Sequence, residues 1–193
     1  MVFLFLPTGW QRRAMAGNRL GFVGWGLALW LAVGPVAADV LTGVVVGVSD
    51  GDTITVLDAA RVQRKIRLAG IDAPERGQPF GQPAKTNLSR PVFGKEVDVQ
   101  WTKHDRYQRI VGNVLVAESG CTATHCRKTL DTSLAQLTDG LAWWYRQYAG
   151  EQSREDAGRY QVAEAAARGR HAGLWSTAEP MAPWDWRHGS RGR

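Results

Sequence analysis

The stretch TGVVVGVSDGDTITVLD, residues 42–58, carries the signal that decides the fold. Branched apolar residues alternate with small or polar ones on both sides of Ser49, Asp50 and Gly51. Alternation is typical of β-strands that are buried on one face, and Asp-Gly is typical of turns. The stretch therefore predicts two strands joined by a turn, and RKIRLAGI, residues 64–71, predicts a third strand.

The next segments predict one helix and two further strands. GQPAKTNLSRP, residues 81–91, has Pro83 where a first helical turn tolerates it and Pro91 where a helix ends. KEVDVQWT, residues 95–102, and RIVGNVLV, residues 109–116, alternate again and predict strands four and five.

The C-terminal part of the chain has helical periodicity. LDTSLAQLTDG, residues 130–140, predicts a helix that ends at Gly140, because its leucines recur at helical spacing. A last helix is expected from about Ser153, an N-cap with Asp156 three residues later, to about His171. The tail at residues 180–193 has no periodicity, but its tryptophans indicate that it packs against the domain.

This order of elements predicts an α+β fold, a five-stranded β-barrel of OB type with about three α-helices. A parallel sheet is disfavoured, because the segments between strands are too short for repeated helical crossovers. We expect a single domain over residues 39–193.

The N-terminus predicts an export signal over residues 1–38. Basic Arg12, Arg13 and Arg19 precede an apolar run, and small residues end at Ala38. Met15 is a possible true start, because the signal is complete from that residue onward. An uncleaved anchor is the alternative. With cleavage, 21 basic and 18 acidic residues remain, a net charge of +3 that tolerates a polyanion without diagnosing one.

Cys121 and Cys126 predict a local disulfide, since an exported protein meets an oxidising compartment. A zinc site with His125 is the disfavoured alternative, because the sequence offers no distant second pair of ligands.

Acidic residues follow strand ends at two points. Asp52 opens the second strand and Asp72 ends the third, and carboxylates with backbone carbonyls and water are the ligands that calcium prefers. The histidines are scattered, which argues against zinc or copper. A turn or cap is the alternative role for either aspartate alone.

Arg67, Arg109 and Glu75 complete a set suited to phosphodiester hydrolysis. Two guanidinium groups match phosphate oxygens, and a glutamate orients or deprotonates the attacking water. Surface salt bridges are the alternative for the arginines. GVSDG, residues 47–51, matches the serine hydrolase motif, but a strand follows it where a helix is required.

Four motifs in this order resemble the thermonuclease family, whose domains are similar to staphylococcal nuclease. They are DGDT at 50–53, IRLAGIDAPE at 66–75, DRYQR at 105–109 and GLAWWY at 140–145. The similarity spans roughly residues 44–175. It implies an OB-type barrel and a calcium-dependent nuclease that cuts DNA and RNA on the 5′ side of the phosphodiester, leaving 3′-phosphates.

The resemblance also implies roles for single residues. Asp52, Asp72 and the Ala73 carbonyl would bind Ca²⁺, Glu75 would act on water, and Arg67 and Arg109 would hold the phosphate. Tyr107 would line the nucleotide pocket. A second pocket tyrosine is expected at Tyr145 or Tyr148, and the sequence does not choose between them.

Two segments depart from the family pattern. Gln108 stands where glycine is usual, which affects the loop that aims Arg109, because glycine reaches conformations that glutamine avoids. The segment 121–126 is an insertion that we expect far from the metal. Trp143 and Trp144 are either a stacking surface for bases or part of the core, and the core is favoured for at least one of them.

Three functions are compatible with these features. A secreted or periplasmic nuclease that acts on DNA and RNA as a monomer is the preferred interpretation, with membrane contact only through the signal. A non-catalytic barrel that binds nucleic acid is the second. An envelope-associated protein with an uncleaved anchor is the third.

Overall fold

The structure is a computed structural model that describes residues 39–121 and 126–190. The predicted export signal and His125 lie outside these residues. The β-strands are β1 Asp39–Val48, β2 Thr53–Asp58, β3 Gln63–Leu68, β4 Ile71–Asp72, β5 Glu96–His104, β6 Ile110–Ala117, β7 Lys128–Asp131 and β8 Trp143–Trp144. The α-helices are α1 Gly81–Val92, α2 Thr132–Thr138, α3 Arg154–Gly169 and α4 Pro183–Ser190, and short 3-10 helices span Arg146–Glu151 and Gly173–Ser176.

Strands β1, β2, β3, β5 and β6 form a closed barrel, which confirms the predicted OB-type fold. β1 pairs antiparallel with β2 and β5, β2 pairs with β3, and β5 pairs with β6. A parallel pairing of β3 with β6 closes the barrel, with Ile66 opposite Ile110. The alternating apolar residues fill the interior, where these side chains have no exposed surface: Val45, Ile54, Val56, Ile66, Val97, Val99, Val114 and Val116.

Two C-terminal segments differ from the sequence prediction. Residues 128–131 form strand β7 on β6, so Leu130 and Asp131 lie in a strand rather than at the start of the helix predicted over 130–140. The Asp131 carboxylate accepts hydrogen bonds from the backbone N–H groups of Ser133 and Leu134, which fixes the beginning of α2 at this point. The tail packs against the domain as predicted, but residues 183–190 form helix α4, which no periodicity indicated.

The buried Gln136 side chain of α2 holds the turn between β1 and β2. Its Nε2 donates to the carbonyl oxygens of Gly51 at 2.7 Å and of Ala84 at 2.9 Å, and its Oε1 accepts from Asn87 at 2.8 Å. Buried amides are stabilised only when they are hydrogen-bonded in this way. The network therefore fixes the backbone immediately before Asp52 against α1 and α2.

The strand predicted over residues 64–71 is divided, because β3 ends at Leu68 and Ile71 and Asp72 form β4, which pairs with β8. Several other predicted boundaries agree closely with the structure. Ser153 caps α3 by accepting a hydrogen bond from the Asp156 N–H at 3.0 Å. Cys121 and Cys126 form a disulfide with a Cα–Cα distance of 6.0 Å, beyond the C-terminal end of β6.

Among the described residues, no helix is long and apolar enough to cross a bilayer.

Candidate active site

Asp52 and Asp72 lie side by side at one end of the barrel. Asp52 follows the turn held by Gln136, and Asp72 is in β4. The Oδ2 atom of Asp52 accepts a hydrogen bond from the Ala73 N–H at 2.9 Å, and its Oδ1 accepts from the Thr53 hydroxyl at 2.9 Å. The two loops are thus joined through one carboxylate, and both aspartates are buried, at 6% and 1% exposure.

Arg67 of β3 neutralises this acidic pair. Its Nη1 lies 2.5 Å from Asp52 Oδ2 and its Nη2 lies 2.7 Å from Asp72 Oδ1. Burial opposes its charge, but the neighbouring carboxylates raise the pKa of Arg67 above its usual value. Two buried carboxylates are tolerated here because a guanidinium bridges them.

Glu75 stands on the loop between β4 and α1, and this loop packs tightly on the helix. A Cβ atom at Gly81 would lie 2.0 Å from the Glu75 carbonyl oxygen, so only glycine permits this approach. The buried Gln78 accepts a hydrogen bond from the Glu75 N–H at 3.1 Å, which fixes the backbone further. The Glu75 side chain itself is partly exposed, at 36%.

Asp105 orients the Arg109 side chain across the tight turn between β5 and β6. The Asp105 carboxylate accepts from the Arg109 backbone N–H at 3.0 Å and from its Nε at 2.7 Å. Burial would raise the pKa of Asp105, but these hydrogen bonds and one from the Tyr107 N–H lower it. Tyr107 is 62% exposed, with the Arg106 and Arg109 guanidinium groups over its ring.

Gln108 adopts the left-handed conformation in this turn, with φ of 61°. The position therefore uses the backbone conformation that glycine provides without cost, and glutamine takes it with strain. The turn is closed, because the Gln108 N–H donates to the Asp105 carbonyl oxygen at 3.0 Å and the Asp105 N–H donates to the Arg109 carbonyl oxygen at 2.9 Å.

Gln108→Gly is expected to stabilise the protein by about 1 kcal/mol, since it removes the strain of a left-handed glutamine. The rate of nucleic acid cleavage is expected to stay within about two-fold, because Asp105 holds Arg109 in either case. Urea unfolding measures the first effect and a cleavage assay the second. Gln108→Ala is the control that should give no stabilisation, and a large gain in rate for Gln108→Gly would contradict the fixed aim of Arg109.

Arg187 of α4 also enters the site, although no sequence motif indicated it. Its Nη2 lies 2.7 Å from Asp72 Oδ2, and its Nη1 lies 2.7 Å from Glu75 Oε1 and 3.3 Å from Asp72 Oδ1. These carboxylates raise the pKa of Arg187 despite its partial burial. The one available signal was the tail's tryptophans, which predicted packing but not its place.

An aromatic wall flanks the cleft on the side of β8 and α4. Tyr145 is stacked with Trp184 at a ring distance of 5.5 Å and 8° between planes, and it meets Tyr148 edge to face at 4.9 Å. Both tyrosines line the cleft, so the structure does not choose between the two predicted pocket tyrosines. Trp144 is buried in the core, whereas Trp143 packs against Trp175 and Trp184.

One cavity of about 810 Å³ brings these side chains together. Its lining includes every residue to which a catalytic, metal-binding or nucleotide-binding role was predicted: Asp52, Arg67, Asp72, Ala73, Glu75, Tyr107 and Arg109. Arg187 lines the same cavity, and the disulfide does not. The predicted site residues of three motifs, at 50–53, 66–75 and 105–109, thus share one cleft.

The comparison with known proteins decides the family. Residues 65–177 match the profile described as Staphylococcal nuclease homologue. The chain belongs to the staphylococcal nuclease family. It is a hydrolase of the nuclease class, in agreement with the resemblance of its motifs.

Three relatives illustrate the similarity. The chain is 36% identical to an uncharacterized endonuclease of Escherichia coli over 84% of this chain and 95% of that protein. It is 39% identical to a micrococcal nuclease of Shigella flexneri over 77% of this chain and 82% of that protein. It is 34% identical to the staphylococcal-like nuclease CAN1 of Arabidopsis thaliana, over 66% of this chain and 34% of that protein. Helix α4 lies beyond the part that matches the family profile.

The pKa of Asp50 in this nuclease is raised, so the stability of the fold should depend on pH in a way that can be tested. Burial, and then the charge of Asp52, raise the pKa of Asp50 from 3.8 to about 6. A carboxyl whose folded-state pKa is raised binds its proton more tightly in the folded state. Its contribution to stability is therefore full below about pH 4 and is lost as the pH rises through about 6.

Asp50→Asn is expected to raise the free energy of unfolding at pH 8 and to change it little at pH 4, since an amide resembles the protonated acid. Urea unfolding at pH 4, 6 and 8 in the presence of a chelator measures the difference. A difference between the variant and the unmodified protein that is constant across this range would contradict the assignment to Asp50.

Proposed function

We propose that this chain is a calcium-dependent nuclease that hydrolyses DNA and RNA, leaves 3′-phosphates and works as a monomer. The observation that carries the proposal is the convergence of Asp52, Asp72, Glu75 and Arg109 on one cleft that also contains Arg67. Three acids and two arginines at one site suit the hydrolysis of a phosphodiester better than binding alone, because binding a polyanion does not benefit from buried acids.

The donor set fits a hard cation. Asp52, Asp72 and the Ala73 carbonyl offer only oxygen, and the two aspartates already attract the guanidinium groups of Arg67 and Arg187. No group of three or more histidine, cysteine or acidic side chains suited to a metal occurs in the described residues, so the protein would supply two carboxylates and a carbonyl. Calcium bound there would supply positive charge next to the scissile phosphate.

Glu75, Arg109 and Arg67 have separate roles in the reaction. Glu75 takes a proton from the attacking water, whose oxygen forms a bond to phosphorus as the bond from phosphorus to the 5′-oxygen breaks. The leaving 5′-oxygen takes a proton from solvent, so the products are a 3′-phosphate and a 5′-hydroxyl. Arg109 stabilises the charge that develops on the phosphoryl oxygens, while Asp105 holds its guanidinium in place. Arg67 offsets the charge of the two aspartates and lines the same cleft.

The aromatic residues account for a tolerance of base sequence. Tyr107 is exposed beside Arg109, and Tyr145 and Tyr148 line the same cleft. Bases stack on aromatic rings without regard to their identity, and basic residues along the cleft hold the backbone. This arrangement supports action on both DNA and RNA, with binding that weakens as salt rises.

Cleavage of single-stranded DNA, duplex DNA and RNA by the purified protein tests the proposal, with calcium, with magnesium and with a chelator. We expect cutting that requires calcium and products that end in a 3′-phosphate. Salt-sensitive binding of the same strands without cutting would instead support a non-catalytic barrel. Cutting with magnesium but not with calcium would refute the assignment of the cation.

The proposed setting is the periplasm or the outside of the cell, after removal of residues 1–38. The support is the basic and apolar N-terminal sequence together with the disulfide, which is stable in oxidising compartments. Sequencing the N-terminus of the mature protein is the test. A protein that begins at Asp39 supports export with cleavage, and one that begins upstream and stays with the membrane supports the anchor.

A further inference from the structure

Helix α4 is anchored beside the catalytic loop by contacts that do not involve Arg187. The buried Gln78 side chain donates to the Met181 carbonyl oxygen at 2.6 Å, and Ala182 is 5% exposed. Trp184 stacks on Tyr145 and meets the edge of Trp143. These contacts hold the N-terminal end of α4, at residues 181–184, about one helical turn before Arg187.

The Glu75 carboxylate depends on this helix for its position. Its backbone is fixed by Gln78 and Gly81, but its side chain is partly exposed and has three rotatable bonds. Within the described residues, Arg187 is the partner that hydrogen-bonds this carboxylate, through Nη1 and Glu75 Oε1 at 2.7 Å. The same guanidinium binds both oxygens of the buried Asp72, which is rigid.

We propose that Arg187 is a positioning residue for Glu75, an inference that rests on the proposed function. By bridging Glu75 to Asp72, Arg187 fixes the glutamate relative to the acidic pair and leaves Oε2 to accept a proton from water. A catalytic base must be held close to one geometry, and a displacement of about 1 Å lowers rates by up to about a hundred-fold. Arg187 lies beyond residue 177, where the match to the family profile ends.

A role for Arg187 in blocking the site predicts the opposite change in rate. A guanidinium on Asp72 and Glu75 that only blocked the site would compete with a cation and with water, and its removal would raise the rate. The sign of the change in rate when Arg187 is replaced therefore distinguishes positioning from blocking. The fixed backbone of α4 favours positioning, because a blocking side chain needs no anchor on the loop that carries Glu75.

The test is a double-mutant cycle of Arg187→Gln and Glu75→Gln, with kcat and KM measured on single-stranded DNA in saturating calcium. We expect Arg187→Gln to lower kcat by about 10- to 100-fold with KM changed by less than about three-fold. In the Glu75→Gln background the same change should have an effect below about two-fold, because a residue that acts through Glu75 has nothing left to position. Arg187→Lys should recover part of the rate.

Controls separate positioning from loss of structure. Arg64→Gln removes an exposed arginine that pairs with Asp58 outside the cleft, and it should leave kcat unchanged. Thermal melting should show all variants folded. An unchanged or higher kcat for Arg187→Gln would overturn the inference, as would an equal loss in both backgrounds. If the unmodified protein does not cut at all, the proposed function fails and this inference fails with it, whereas full activity of Arg187→Gln refutes only the inference.

Discussion

Glu75→Gln is expected to lower kcat for cleavage of single-stranded DNA by on the order of a hundred-fold or more, while the protein stays folded. Glutamine keeps the shape of the side chain and still accepts the hydrogen bond from Arg187, but it does not take a proton from water. KM should change little, because the glutamate acts on water rather than on the substrate. Steady-state kinetics in saturating calcium measures both constants.

Glu96→Gln is the matched control for this change. Glu96 pairs with Lys128 on the barrel surface, is largely exposed and does not line the cleft. Its replacement should leave kcat within about two-fold, since exposed pairs contribute little. A Glu75→Gln protein that cuts as fast as Glu96→Gln would remove Glu75 from the mechanism.

Arg67→Ala is expected to destabilise the fold by about 3–5 kcal/mol as well as abolish cutting, because it leaves two buried carboxylates without their bridging cation. Added calcium should stabilise the variant more than the unmodified protein, since the cation replaces part of the missing charge. Urea unfolding with chelator and with calcium measures both effects. Arg67→Ala combined with Asp52→Asn should recover part of the stability but no activity.

The comparison with Arg64→Ala makes this result specific. Arg64 lies on the same strand, but its side chain is 47% exposed, whereas that of Arg67 is 14% exposed. Its removal should cost less than about 1 kcal/mol. Equal losses for the two variants would mean that the strand, and not the acidic pair, requires an arginine.

The barrel strands could be predicted from the sequence because each strand has its own local pattern. The alternation in β1, β2, β3, β5 and β6 gives each strand its buried face without reference to its partner. The assignment of residues 130 and 131 to a helix was wrong because Leu130 stands at helical spacing from Leu134, while the Asp131 cap and the pairing with β6 decide the structure. The parallel pairing of β3 with β6 is a tertiary property that no local pattern contains.

The residues of the cleft likewise include some that the sequence identifies and one that it does not. Asp52, Asp72 and Glu75 belong to short motifs that carry their chemistry in their spacing, and Gln108 could be noticed because glycine is usual at its position. Arg187 has neither kind of signal, because it lies in an aperiodic tail 115 residues after its partner Asp72. The packing of Trp184 and the hydrogen bond of Gln78 help to bring it to the site.

That separation along the chain has a consequence for the cell that makes the enzyme. Ribosomes produce the acids and both barrel arginines long before residue 187, so the contact between Arg187 and Glu75 is among the last in the cleft to form. If Arg187 holds the base as we infer, a nascent chain carries the cutting residues in an unfinished arrangement. The cell's own nucleic acid would then be exposed, during synthesis, to a chain in which the catalytic base is not yet held in place.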